Sequence, residues 1–335
     1  MKRKLSFFGV NPGVLFGFVF LVALLFATTP SFRQVSTLQS LFQQASLNAI
    51  IAVGMTFVII TAGIDLSVGS ILGLVGVVTA MTLMGPQVVS QFGERAMFLA
   101  CIAGIAAGAL VGFLNGAAVA WLRMQPFIVT LATMWIVRGA ALVITDGAPI
   151  GVVDPSQPMA AMRNDLLQHK FTVFGMGYMG PLPISALIAF IVVILGHILL
   201  TRTIFGRHVF ALGGNAEAAR LSGVNVNKVR VSVFTISGLL AGLAGVLLTS
   251  KLVGGQPTVG QGFELYAIAA VVVGGTSLFG GSGSVVGSAI GALIIQVINM
   301  GLDLHGLSDF WQRIVTGAII FLAVLLDEVL RRRKG

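Results

Sequence analysis

Residues 47–74 read LNAIIAVGMTFVIITAGIDLSVGSILGL. They lie within two long apolar runs, 45–62 and 68–84, that meet at GIDLSVG (63–69). A helix needs about 20 predominantly apolar residues to cross a bilayer, and about 17 still suffice. Each run therefore reads as a membrane span. Asp65 is the one charged residue from 45 to 84. A charge in the middle of a bilayer is costly, so Asp65 belongs to a tight turn between the two spans.

Composition extends this reading to the whole chain. Of the 335 residues, 56% are hydrophobic and only 9% are charged. A soluble domain carries about a quarter charged residues, so this chain cannot cover a globular surface. The 43 glycines suit spans that approach closely or break at functional points. A net charge of +9 would point to nucleic acid in a soluble chain; here it reflects basic cytoplasmic segments, with no nucleic-acid partner. The single cysteine, Cys101, lies in an apolar run, which excludes an intramolecular disulfide and reads as a small buried side chain. MKRK ahead of an apolar run resembles a signal peptide, but 13–29 is long for one and reads as an uncleaved first span.

Ten spans are expected, at 13–29, 45–62, 68–84, 96–122, 126–145, 184–200, 231–250, 262–276, 284–302 and 311–329. The eighth is short enough to be a half-helix. Lysine and arginine set the orientation. With the N-terminus in the cytoplasm, the inside segments hold Lys2, Arg3, Lys4, Arg123, five within 201–230 and four within 331–335. The outside segments hold Arg33, Arg95, Arg163, Lys170, Lys251 and Arg313. Both termini are thus expected inside, and residues 1–335 form a single transmembrane domain. Two long polar segments remain: 146–183 outside, which would cap the external mouth, and 201–230 inside.

Much chemistry is missing. No GxxxxGK[ST] occurs, so the chain does not cradle ATP in that way. There is no HExxH and no paired Cys/His spacing, so neither a catalytic residue nor a metal site is expected. His169, His197, His208 and His305 are scattered. The glycine–serine stretches GTSLFGG (275–281) and GGSGS (280–284) have no accompanying His–Asp pair, so a serine hydrolase is not supported. Acids sit at predicted span ends, and Arg138 is the one basic residue well inside a span. That argues against a proton relay. Energy would then enter through a partner pressing on the cytoplasmic segment, with an ion-coupled secondary transporter of a small polar solute as the alternative. Arg138 itself should pair with an acid or a helix C-terminus.

Within the inside segment, 214–224 reads GNAEAARLSGV. Asn215 is a suitable N-cap, AEAARL favours helix, and Gly223 is a natural stop. A short surface helix carrying Glu217, Ala218, Ala219 and Arg220 is expected, either as a docking element or as a solvated connector.

Several long stretches carry a resemblance: 47–74; QPFIVTLATMWIVRGAALVIT (125–145); GRHVFALGGNAEAARLSGVNVNKVRVSVFTISGLLAGLAGVLL (206–248); QPTVGQGFELYAIAAVVVGGTSLFGGSGSVVGSAIGALI (256–294); and GLDLHGLSDFWQRIVTGAIIFLAVLLD (301–327). The chain resembles the membrane permease subunits of bacterial ribose-type ABC importers. The resemblance implies an all-α polytopic fold similar to the cobalamin-permease class, in the bacterial inner membrane. It implies a pathway formed with a second permease copy or paralogue, and a periplasmic sugar-binding protein. It also implies a cytoplasmic tandem-domain ATPase that binds the ATP and magnesium, with membrane lipid around the whole. Asn215, Glu217, Ala218, Ala219, Arg220 and Gly223 match the ATPase-coupling helix. One departure stands out: ribose-type members usually read ELDAIAAV where this chain reads ELYAIAAV (264–271), with Tyr266 replacing the acid.

Polar and aromatic residues in spans are candidates for the translocation path: Asn48, Asn115, Phe127, Arg138, Glu264, Tyr266 and Asn299. Interhelical hydrogen bonding is the competing explanation. Asp65 and Ser67 read as a helix start at an inner gate, with the Asp65 carboxylate accepting backbone N–H bonds from LSVG. VGSILG (68–73) parallels VGSAIG (286–291), either as a weak internal repeat or as glycine-rich convergence.

Overall fold

Apolar runs become helices here because a helix satisfies every backbone polar group internally, which a bilayer demands. In the computed structural model, which describes residues 12–151 and 153–332, the helices are α1 (Pro12–Thr28), α2 (Val35–Ile60), α3 (Val68–Met84), α4 (Pro86–Phe92), α5 (Ala96–Trp121) and α6 (Pro126–Thr145). There follow α7 (Ala160–Asp165), a π-helical turn (Leu166–Phe171), α8 (Val173–Met176) and a hairpin of β1 (Tyr178–Met179) with β2 (Leu182–Pro183). The chain continues through α9 (Ile184–Arg202), α10 (Ile204–Gly214), α11 (Ala216–Leu221), α12 (Val226–Leu252), α13 (Phe263–Val273), α14 (Val285–Leu304) and α15 (Asp309–Arg332). The basic residues Lys2, Arg3 and Lys4 and the tail 333–335 lie outside the described residues. Proline opens α1, α4 and α6, where its missing N–H costs nothing.

Each of the ten expected spans contains a helix. Among the described residues, six helical stretches are long and apolar enough to cross a membrane: α2, Pro86–Trp121, α6, α9, α12 and α14. Shorter apolar helices are α1, α3, α13 and Phe310–Leu322. Two departures from expectation have a clear physical cause. Helix α2 starts at Val35, well before 45, because Leu38 and Leu41 within its polar first turns join Phe32, Val297 and Met300 in an apolar cluster. Helix α10 forms where a polar connector was expected, with Val209 and Leu212 buried on one face.

The chain divides into two units. The first comprises Met1–Gly63, Ala189–Val229 and Leu265–Gly335. In it α2 packs antiparallel on α14, joined by a hydrogen bond from Thr56 Oγ1 to Ser288 Oγ at 2.8 Å. Helix α10 packs against α2 through the Phe57 and Phe205 rings, 6.2 Å apart.

The second unit comprises Ile64–Ile188 and Arg230–Glu264, with α3 packed on α5 and α6. Gly104, Gly108, Gly112 and Gly116 recur every fourth residue along α5; the last three face α12, and Gly104 lies against both α3 and α12. A Cβ on Gly108 would lie 2.9 Å from the Gly242 Cα, and one on Gly238 would lie 2.8 Å from the Gly112 Cα. The two backbones thus touch directly, as small residues at four-residue spacing allow in membranes. Segment 146–183, read as a polar loop, is folded: Leu166, Leu167 and Phe171 are buried. Ser250 Oγ of α12 donates to Phe171 O at 2.6 Å and accepts from Gly175 N at 2.8 Å, tying the segment down.

Candidate functional site

In the second unit, the turn before α3 carries a buried carboxylate. Asp65 is 0% exposed. Its Oδ1 accepts from Ser67 N at 3.0 Å and from Ser67 Oγ at 2.6 Å, and its Oδ2 accepts from Ser237 Oγ of α12 at 2.8 Å. Ser67 Oγ in turn accepts from Asn115 Nδ2 of α5 at 2.9 Å, and Asn115 Oδ1 accepts from Thr133 Oγ1 of α6 at 2.7 Å. Thr130 of the same helix donates to Ile64 O at 3.0 Å. A relay of donors from three helices therefore ends on one carboxylate, the arrangement a buried acid requires.

This corrects the helix-start reading in one respect. Ser67, and not Asp65, is the N-cap of α3. Asp65 stands two residues earlier, and its oxygens are taken by one backbone N–H and two hydroxyls. The structure brings together Asp65 and Ser67, nominated as a helix start, and Asn115, nominated for the translocation path. Ser237, Thr130 and Thr133 were missed. Their signal was faint: isolated hydroxyls in apolar helices, Ser237 beside the close-packed Gly238.

Arg138 occupies a second polar position in this unit. Its Nη1 donates to Pro257 O and Val259 O, both at 2.6 Å, and its Nη2 donates to Gly69 O at 3.1 Å. The expected acid is Glu264, whose charge attracts Arg138, but the direct hydrogen bonds go to three carbonyls, two from the loop before α13 and one from the first turn of α3. Glycine is required at 73: a Cβ there would lie 2.6 Å from Arg138 Nη1 and 2.9 Å from Pro257 O. Glu264 lies close by, accepting from Gly262 N at 3.2 Å. Arg138→Leu should lower stability by about 2 kcal/mol, because charge-assisted bonds to the loop disappear. Arg138→Lys, a point charge without the planar fork, should recover only part of that. Thermal unfolding in detergent measures both, and an unshifted Arg138→Leu transition rules out the anchoring role.

The segment 201–230, in the first unit apart from Arg230, is a series of capped helices. Thr203 Oγ1 accepts from Gly206 N at 3.2 Å, Asn215 Oδ1 from Glu217 N and Ala218 N at 3.0 and 2.9 Å, and Asn225 Oδ1 from Lys228 N at 3.0 Å. Helix α11 ends as a Schellman motif: Gly223 N donates to Arg220 O and Val224 N to Ala219 O, both at 3.0 Å. Gly223 has φ +85, which glycine adopts freely. Arg220 Nη2 meets Glu217 Oε1 at 2.6 Å. That hydrogen bond, and then the Arg220 charge, hold Glu217 below its ordinary carboxyl range. Whatever the pair adds is therefore present at neutral pH and lost as pH falls through the lowered Glu217 value. Both groups are exposed, so the pair orients the helix more than it stabilises it. Ala219 is buried and anchors α11, while Glu217, Ala218, Arg220 and Leu221 face outward. Leu221 is 74% exposed.

Four nominated residues remain. Asn48 on α2 is buried, Asn299 on α14 and Tyr266 on α13 are partly buried, and Phe127 at the start of α6 is exposed.

A family profile described as branched-chain amino acid transport system / permease component matches residues 37–324. The chain is 44% identical over 313 residues to the ribose import permease protein of Escherichia coli, covering 93% of this chain and 92% of the relative. It is 43% identical over 328 residues to the ribose import permease protein of Bacillus subtilis, covering 97% and 96%. It is 37% identical over 324 residues to the D-allose transport system permease protein of Escherichia coli, covering 96% and 92%. No solved structure matches the chain significantly.

Proposed function

The chain belongs to the branched-chain amino acid transport system / permease component family, and from that premise we propose that it is the membrane permease subunit of an ATP-driven importer for a monosaccharide, ribose or a related sugar. It is a transport component and not an enzyme. The observation that carries the sugar reading is the 44% identity to a ribose import permease over nearly the full length of both chains.

In this reading ten helices cross the bacterial inner membrane, with both termini and segment 201–230 in the cytoplasm; the distribution of lysine and arginine supports that orientation. The chain pairs with a second copy or a paralogue, and a periplasmic binding protein delivers the sugar. Exposed apolar side chains such as Ile102, Trp135 and Val143 support a lipid-facing surface. A cytoplasmic ATPase binds ATP and magnesium and docks on α11. The rigid capping of α11 and its exposed Leu221 support that assignment.

Two measurements test it. Proteoliposomes holding the full importer should take up D-ribose only with ATP inside, and an uncoupler should have no effect. Uptake that needs an ion gradient and no ATPase overturns the reading in favour of a secondary transporter. Replacing Glu217 with Lys and Gly223 with Val should weaken ATPase docking by about tenfold or more. Wild-type ATPase affinity and stimulation in that double variant exclude α11 as the docking element.

A further inference from the structure

Of the six carboxamides on the packed pair α2 and α14, four concern the seam at one level. Gln44 and Asn48 are one turn apart on α2; Gln296 and Asn299 are one turn apart on α14. Gln296 Nε2 donates to Gln44 Oε1 at 3.1 Å. The oxygens Asn48 Oδ1 and Asn299 Oδ1 are shielded from solvent and have no hydrogen-bond partner. Asn48 is only 8% exposed.

Register places these groups near one another. The Thr56–Ser288 hydrogen bond fixes the antiparallel alignment. Asn48 lies eight residues before Thr56, and Gln296 lies eight residues after Ser288. Eight residues rise about 12 Å along either helix, so Asn48 and Gln296 face the same level of the seam. Gln296 nonetheless bonds to Gln44, one turn further, and leaves Asn48 unsatisfied.

An unsatisfied buried carbonyl is destabilising, and more so in a membrane helix, so two in one seam call for a partner supplied from outside. What they lack is a donor. The seam is also free of charge: α2 contains no ionisable side chain, and α14 contains only Asp303, near its C-terminal end. An amino acid would bring an ammonium and a carboxylate with nothing to balance either. A sugar brings neutral hydroxyls, each able to donate to an amide oxygen.

We propose that the α2–α14 seam binds a neutral, hydroxyl-rich solute, with Asn48 and Asn299 accepting its hydroxyl protons. The Gln44–Gln296 hydrogen bond is the closing contact that the solute replaces. The site rests on the reading of this chain as a sugar permease and deepens it: the discrimination against amino acids is built into the seam.

The test uses the full importer in proteoliposomes with D-ribose as probe and reads sugar delivered per ATP hydrolysed. Asn48→Leu and Asn299→Leu should each lower that ratio about tenfold, the loss of one hydrogen bond to substrate, in complexes that still assemble. Thr56→Val removes a helix–helix hydrogen bond without touching the acceptors, so it should lower the melting temperature and leave the ratio unchanged. A wild-type ratio in assembled Asn48→Leu overturns the site; should that variant not assemble, a wild-type ratio in Asn299→Leu does so. A wild-type importer that moves L-leucine and no ribose overturns the sugar reading itself.

Discussion

Gly112→Leu should yield no folded protein. A Cβ at 112 would stand 3.0 Å from both the Cα and the N of Gly238. These are backbone atoms, so no side chain can turn aside. The helices must separate, and separation strips dispersion contacts from the whole row of glycines on α5. Overpacking in a core costs about 1–3 kcal/mol where neighbours adjust; here they cannot, so Gly112→Ala should already lie near the top of that range and leucine beyond it. Van der Waals packing is a main force between membrane helices, which leaves little to compensate. Gly139→Ala is the matched control. Its Cβ meets nothing within 4 Å, so alanine in mid-helix should stabilise by up to about 1 kcal/mol. Thermal unfolding in detergent compares the three, and a Gly112→Ala transition at or above that of Gly139→Ala refutes the close crossing.

Asp65→Ala should be nearly as damaging. It strands the Ser67 and Ser237 hydroxyls, both buried, and removes three bonds to a carboxylate. Hydrogen bonds to charged groups contribute about 1.5–3 kcal/mol each, and partners left unpaired add to the loss, so a total of about 4 kcal/mol is expected. Asp65→Asn should cost less, about 1–2 kcal/mol: one oxygen can still serve Ser67, and the Ser237 hydroxyl can turn to accept from the new amide. The order Ala worse than Asn, read by melting temperature and by uptake, distinguishes the relay from a mere turn residue. Equal and slight effects would reduce Asp65 to its local bond with the Ser67 N–H.

The same residue shows how far sequence reasoning reaches. That the Asp65 carboxylate holds a backbone N–H at the start of a helix was visible in GIDLSVG, because the bond to Ser67 N is local. That it also holds Ser237 was not, because the partner lies 172 residues away and a lone serine in an apolar helix looks like any other. Arg138 was recognised as needing a partner, and Glu264 attracts it, but its hydrogen bonds go to backbone carbonyls, which leave no mark in sequence. Helices followed faithfully from apolar runs and failed where burial was one-sided. Helix α10 hides two buried aliphatic side chains among arginine, histidine and glycine, and α2 begins within a glutamine-rich stretch. Helix α11 was legible end to end, since its caps are made by the residues flanking it.

The glycine row on α5 also has an entropic side. Two helices that meet through leucines freeze many rotamers when they associate, and their interface can settle into several packings. Helices that meet through bare backbone have no rotamers to freeze. The α5–α12 crossing therefore forms with little side-chain ordering cost where backbone meets backbone. A transporter must deform somewhere in each cycle, and this crossing is where it has nothing to rearrange.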